Sequence, residues 1–231
     1  MTLGRRLAEM RPSRPKGRRG RLGIGWLALP VALLALGAAR FVEPDDPDAY
    51  MAPPRAVAEK TLDQVLHVLN QREMSSAARI AEIEKIVFDV FDFSTMSKLV
   101  LARNWKKFSD PQRREFVGEF KLYLSRTYGA RINRYEQTDI EVYGSRIEPR
   151  GDVTVLSRAV GGQFDDIEMN YRMRLRKGQW KVIDIIIEGV SMISNFRSQF
   201  GEIISRGGPQ KLFEQMRAKN ARGAGVDSED D

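Results

Sequence analysis

From residue 55 onward the apolar positions first recur at helical spacing and then, past Tyr135, at every second residue. Val57, Leu62, Val65, Leu66 and Leu69 predict a helix over 55–71, and Ile80, Ile83, Ile86, Val87 and Val90 predict a second over 77–91. Ser94 is placed to cap a short helix through Leu101. Ser109-Asp110-Pro111-Gln112 marks another helix start, with a capping hydroxyl and a proline in the first turn. Phe116, Phe120, Tyr123, Leu124, Thr127, Tyr128 and Ile132 then hold an aromatic-rich face as far as Tyr135.

Ile140 and Val142 open a strand, and Val153 and Val155 sit in a second. Residues 167–176 alternate, with Ile167, Met169, Tyr171, Met173 and Leu175 on one face and Glu168, Asn170, Arg172, Arg174 and Arg176 on a wet one. Lys177-Gly178 turns this strand into 180–187, and Gly161-Gly162 reads as another hairpin turn. Val182–Ile187 is apolar on both faces apart from Asp184, which predicts a central strand. Gly189 breaks it, and Ser191 is placed to cap a helix to about Ser205 with Ile193, Phe196, Phe200, Ile203 and Ile204 on its apolar stripe. A capping role there would be filled equally well by aspartate. Gly207-Gly208-Pro209 ends that helix, and 210–219 forms a last short one. The order predicts an α+β fold: N-terminal helices packed on a curled four-stranded antiparallel sheet, followed by C-terminal helices.

The ends of the chain read differently. Residues 5–21 are basic, 23–39 are uncharged and apolar, and small residues close the stretch at Gly37-Ala38-Ala39. Residues 1–39 are thus expected to be a secretory signal peptide, or a retained membrane anchor, which directs the protein to the periplasm. Pro44, Pro47, Pro53 and Pro54 among acids predict an acidic linker over 40–54. The domain is expected to span 55–220, with a disordered acidic tail over 221–231.

The formal charge of +7 invites a nucleic-acid reading. Its location removes that reading: with the eight bases and one acid of residues 1–39 set aside, 30 bases face 30 acids, scattered with no arginine-rich tract. The chain has no cysteine, and His67 is its one histidine, so a thiol nucleophile, a histidine triad or a multi-histidine metal site is unavailable. Asp184 is the acid that stands out. It is either a buried carboxylate hydrogen-bonded to backbone or arginine, or a general acid.

Three blocks carry a family resemblance. Phe91-Asp92-Phe93-Ser94-Thr95-Met96 with Leu99 through Trp105 is the first, and Ser109 through Arg113 with Phe116 and Phe120 is the second. The most specific is Trp180 through Asp184, Glu188 through Met192 and Asn195 through Phe200. Over about 56–217 the chain resembles the MlaC family, the toluene-tolerance auxiliary proteins, which are periplasmic phospholipid carriers and not enzymes. The basic leader, proline-rich segment and acidic tail depart from the family pattern. The resemblance implies acyl tails inserted between a helical layer and the sheet, with no cofactor. It also implies as partners an inner-membrane MCE-type protein with its ABC transporter and an outer-membrane lipoprotein–porin complex. A hopanoid or other polycyclic lipid, or a tethered adaptor that carries nothing, are the alternatives. The inner faces then give an expected lipid lining of Met96, Leu99, Val100, Phe116, Phe120, Leu124, Tyr128, Met169, Tyr171, Met173, Ile185, Ile187, Val190, Ile193, Phe196 and Phe200.

Overall fold

The computed structural model describes residues 44–132 and 138–223. The leader read over 1–39 and the last eight residues of the tail lie outside the described residues. Among these residues five α-helices and five strands follow in order: α1 Pro47–Leu69, α2 Ser76–Val90, α3 Phe93–Leu101, α4 Asp110–Ile132, β1 Asp139–Ile147, β2 Val153–Val160, β3 Met169–Arg176, β4 Gln179–Ile187, β5 Val190–Ser191 and α5 Met192–Gly223. The strands form one antiparallel sheet in the order β1-β2-β3-β4-β5. The α+β class holds, with a fifth, two-residue strand added to the four expected. Among the described residues no helix is long and apolar enough to cross a membrane.

The helix α1 begins eight residues earlier than the prolines suggested. Asp46 accepts a hydrogen bond from the Ala49 amide, and Pro47 occupies the first turn, where its missing donor costs nothing. Pro53 and Pro54 lie inside the helix, and each removes a backbone bond. Packing offsets that loss. The Tyr50 ring meets Trp180 edge-on at 5.5 Å, and its hydroxyl donates to the Gly151 carbonyl at 2.8 Å. Met51, Val57 and Ala58 continue this contact over Val153, Val155, Met173 and Val182. Much of the expected linker is therefore helix laid on the sheet.

Local signals set the other boundaries. Asp92 caps α3, in place of Ser94, because its own amide is tied to the Val182 carbonyl at 3.0 Å and its carboxylate accepts from the Thr95 amide at 2.9 Å. Ser109 and Gln112 cap α4 reciprocally, side chain to backbone in both directions. Lys177 (φ 49°) and Gly178 (φ 79°) make the expected tight turn between β3 and β4.

Two features of the sheet differ from simple alternation. Arg172 pairs with Asp184 but Met173 pairs with Val182, so Ile183 is the extra residue of a bulge. It brings Val182 onto the face of Ile185 and Ile187, opposite Met173, Tyr171 and Met169. Neither face is as uniform as expected: on the wet face Asn170 is buried and accepts from the Ser157 amide at 3.0 Å, and on the apolar face Leu175 is exposed. Arg174 makes a two-pronged pair with Asp152 at 2.6 Å. The strand β4 is not central. Among the described residues, beyond it stand only β5 at one end and a parallel bridge from Phe91 to Val182 at the other.

After Glu188 and Gly189, both at positive φ, the chain doubles back as β5 before α5 starts. Gly189 thus makes a hairpin, where a direct strand-to-helix break was expected. At Gly207 and Gly208 the backbone leaves helical geometry and divides α5 into arms over 192–206 and 209–223.

Candidate functional site

An apolar cavity of about 400 Å³ lies between the helices and the inner face of the sheet. Stripes at helical spacing build most of its wall: Leu62, Val65, Leu66 and Leu69 from α1, then Ile80, Ile83, Val87 and Phe88 from α2. The helix α4 adds Lys121, Leu124, Ser125, Tyr128 and Gly129. A side chain at Gly129 would stand 3.3 Å from Ile80, so glycine there lets α2 and α4 approach closely. The floor is Ile140 of β1, Met169 and Tyr171 of β3, and Ile185 and Ile187 of β4. Phe91, Phe93, Met192, Thr61 and Glu84 complete the lining.

Six of the residues expected to meet lipid line this cavity: Leu124, Tyr128, Met169, Tyr171, Ile185 and Ile187. The other ten do not. Met96, Val100, Phe116, Phe120, Ile193, Phe196 and Phe200 form a solid core with Leu99 packed against it, where α3, α4 and α5 meet. Its rings interlock, with Phe116 stacked on Phe120 at 5.6 Å and Phe120 edge-on to Phe196 at 5.7 Å. Only at its edge does this core border open space: Phe200, with Tyr123, Ile203, Leu212 and Met216, lines a separate, smaller cavity of about 280 Å³. Met173 is fully buried beneath α1, and Val190 at the hairpin turn is 61% exposed.

The wall from α1 and α2 is visible in sequence as two apolar stripes, but their spacing alone does not mark either as a lining. The signal that separates lining from core is chemical. The lining stripes of these two helices are almost wholly aliphatic, whereas the solid core gathers the phenylalanines of α4 and α5.

Polar groups in the lining are few. Ser125 donates its hydroxyl hydrogen to the Glu84 carboxylate. The Lys121 ammonium sits 3.5 Å from the centre of the Phe88 ring, a cation–π contact. Thr61 donates to its own helix, at the Val57 carbonyl. Such a wall can withdraw an apolar chain from water and offers one charge of each sign. Among the described residues there is no group of acids or histidines that could hold a metal ion.

Asp184 lies outside the cavity lining, and its partners define its role. One carboxylate oxygen accepts from the Ser191 hydroxyl at 2.6 Å, the other from the Ile193 amide at 3.1 Å. The Ser191 oxygen in turn accepts from the Ser194 amide at 3.0 Å, the expected cap. Burial pushes the Asp184 carboxyl above its usual range, against the pull of these donors and of Arg172. The acid anchors the start of α5 to the sheet.

Comparison with known proteins bears on the same domain. A sequence profile described as MlaC protein matches residues 59–218. The chain belongs to the MlaC family. The toluene tolerance protein ttg2D of Pseudomonas putida is 24% identical over 127 residues, which are 54% of this chain and 59% of that relative. This MlaC chain therefore spans about three fifths of the curated relative it matches. A phospholipid-binding protein from Ralstonia solanacearum, solved in complex with a phospholipid, superposes with a TM-score of 0.67 at 23% identity, covering 74% of this chain and 98% of that one. The MlaC fold is thereby shared.

Proposed function

We propose that this MlaC-family protein is a carrier that shelters the acyl chains of a phospholipid in the cavity between α1, α2, α4 and the sheet. The observation that carries the reading is the apolar lining of a cavity of about 400 Å³, within the range of small-molecule sites. The phospholipid held by the solved relative of the same fold supports it. Each methylene taken from water contributes about 0.8 kcal/mol, so about ten of them supply ~8 kcal/mol, the free energy of a micromolar complex before ordering costs. That magnitude suits a shuttle, which must both load and release. In this reading the protein works in the periplasm, between an inner-membrane MCE-type protein with its ABC transporter and an outer-membrane lipoprotein–porin complex. It does so without catalysis.

Native mass spectrometry of protein purified without detergent tests the binding, and transfer of phospholipid between two vesicle populations tests the carriage. The expected result is one phospholipid per chain, returned chemically intact, and transfer faster than the spontaneous rate. Protein that carries no lipid and accelerates no transfer would rule the carrier out, and release of free fatty acid would make it an enzyme. Cell fractionation tests the compartment, with the periplasmic fraction expected to hold the protein.

A further inference from the structure

Of the described residues that line the cavity only Glu84 and Lys121 carry charge, and the signs are opposite. They stand on facing helices, α2 and α4, and both are half-buried. They are not paired with each other. Lys121 rests its ammonium over Phe88 and, more distantly, Phe93, and among the described residues it forms no ion pair. Glu84 accepts instead from the hydroxyl of Ser125, one turn beyond Lys121 on α4. That bond engages one carboxylate oxygen and leaves acceptor capacity on the group. A cation without an ion-pair partner and a positioned anion, both in the lining of an apolar cavity, match a ligand that bears both charges near an apolar tail. An aromatic seat holds a cation without neutralising it, so Lys121 keeps its charge available to an anion.

We propose that this pair selects the head group, so that the preferred cargo is a zwitterionic phospholipid with a primary ammonium, such as phosphatidylethanolamine. Lys121 takes the phosphate, and Glu84 takes the ammonium as a charge-assisted hydrogen-bond acceptor. A lipid with phosphate but no cation, such as phosphatidylglycerol, meets Lys121 but leaves Glu84 facing an uncharged or negative group. A quaternary ammonium has no N–H to donate, so phosphatidylcholine is expected to rank between the two. The inference rests on the carrier reading and adds to it a reason for discrimination.

The test is a loading competition. Delipidated full-length protein is incubated with vesicles holding equal parts phosphatidylethanolamine and phosphatidylglycerol, and bound lipid is read by native mass spectrometry. The wild type should load the ethanolamine lipid by about tenfold over the glycerol lipid, the lower end of the scale for one charge-assisted hydrogen bond. Glu84→Gln keeps an acceptor for Ser125 but loses the charge, and should bring the ratio close to one. Lys121→Met keeps a long stem against Phe88 and should lower loading of both lipids together. Thermal melts of the variants establish that they are folded, and if Lys121→Met is not, the ratio in Glu84→Gln decides alone. Equal or greater loading of phosphatidylglycerol by the wild type, or an unchanged ratio in folded Glu84→Gln, overturns the selection while leaving the carrier intact. A wild type that loads neither lipid overturns both.

Discussion

Replacing Ser191 separates a simple cap from a relay. At an ordinary helix start aspartate serves as well as serine and alanine is worse, by ~1 kcal/mol. Here the serine hydroxyl also donates to a buried carboxylate. Ser191→Asp would set two carboxylates at hydrogen-bond distance, so the usual order should invert. We expect Ser191→Ala to cost about 1 kcal/mol and Ser191→Asp to cost about 2 kcal/mol or more, measured by urea unfolding at pH 7. A Ser191→Asp protein as stable as the wild type would show that Asp184 does not depend on this donor. The sequence exposed the cap but not the relay, because the partner acid lies on a neighbouring strand.

Asp184 also fixes a sign. Its folded pKa is raised, chiefly by burial, so the folded protein holds this proton more readily than the unfolded chain. Its contribution to stability is greatest below the usual carboxylate range and declines as pH rises through the raised value. Glu148 runs the other way: burial would raise it, but Thr154, Arg146 and Arg172 outweigh burial and hold its pKa low. Its contribution is present above the usual range and is lost as pH falls through the depressed value. The stability of the wild type relative to Asp184→Asn should therefore fall from pH 4 to pH 7. A flat or rising difference across that interval would contradict the assignment.

Among the elements, α1 shows how far a local rule carries. Prolines at 47, 53 and 54 argue for a linker, and an interior proline costs a helix about 3 kcal/mol. The structure keeps the helix because Tyr50 and Met51 find partners on the sheet, among them Trp180, about 130 positions away and invisible to any local pattern. Tyr50→Phe should lose about 1 kcal/mol with the bond to Gly151, and Tyr50→Ala about 2 kcal/mol or more with the ring contact as well. A Tyr50→Ala protein that melts with the wild type would return this segment to the status of a linker. The bulge at Ile183 and the two-residue β5 escaped for a related reason. Both depend on register with a partner strand, whereas the period of two and the Lys177-Gly178 turn are written locally.

At the scale of the whole molecule, the order of helices and strands was legible, and so was the layered packing. Which apolar faces close into solid core and which stand apart around a cavity was not. Periodicity reports that a face is buried and says nothing of whether the opposing surface fills the space. Two tryptophan substitutions separate these cases. Val87→Trp adds volume to the cavity wall and should reduce bound phospholipid per folded molecule with little loss of stability. Met173→Trp adds volume to a site with no exposure and should destabilise by about 1–3 kcal/mol while leaving occupancy per folded molecule unchanged. The reverse pattern would place the lipid beneath α1.

The location of the acyl chains is the centre of the account, and photocrosslinking reads it directly. Purified protein loaded with a phospholipid that carries a diazirine in one acyl chain is irradiated, digested and mapped by mass spectrometry. The expected adducts fall on the cavity wall: residues 61–69, 80–93, 121–129, 169–171 and 185–187. Adducts confined instead to the interlocked core of Phe116, Phe120, Phe196 and Phe200 would contradict it.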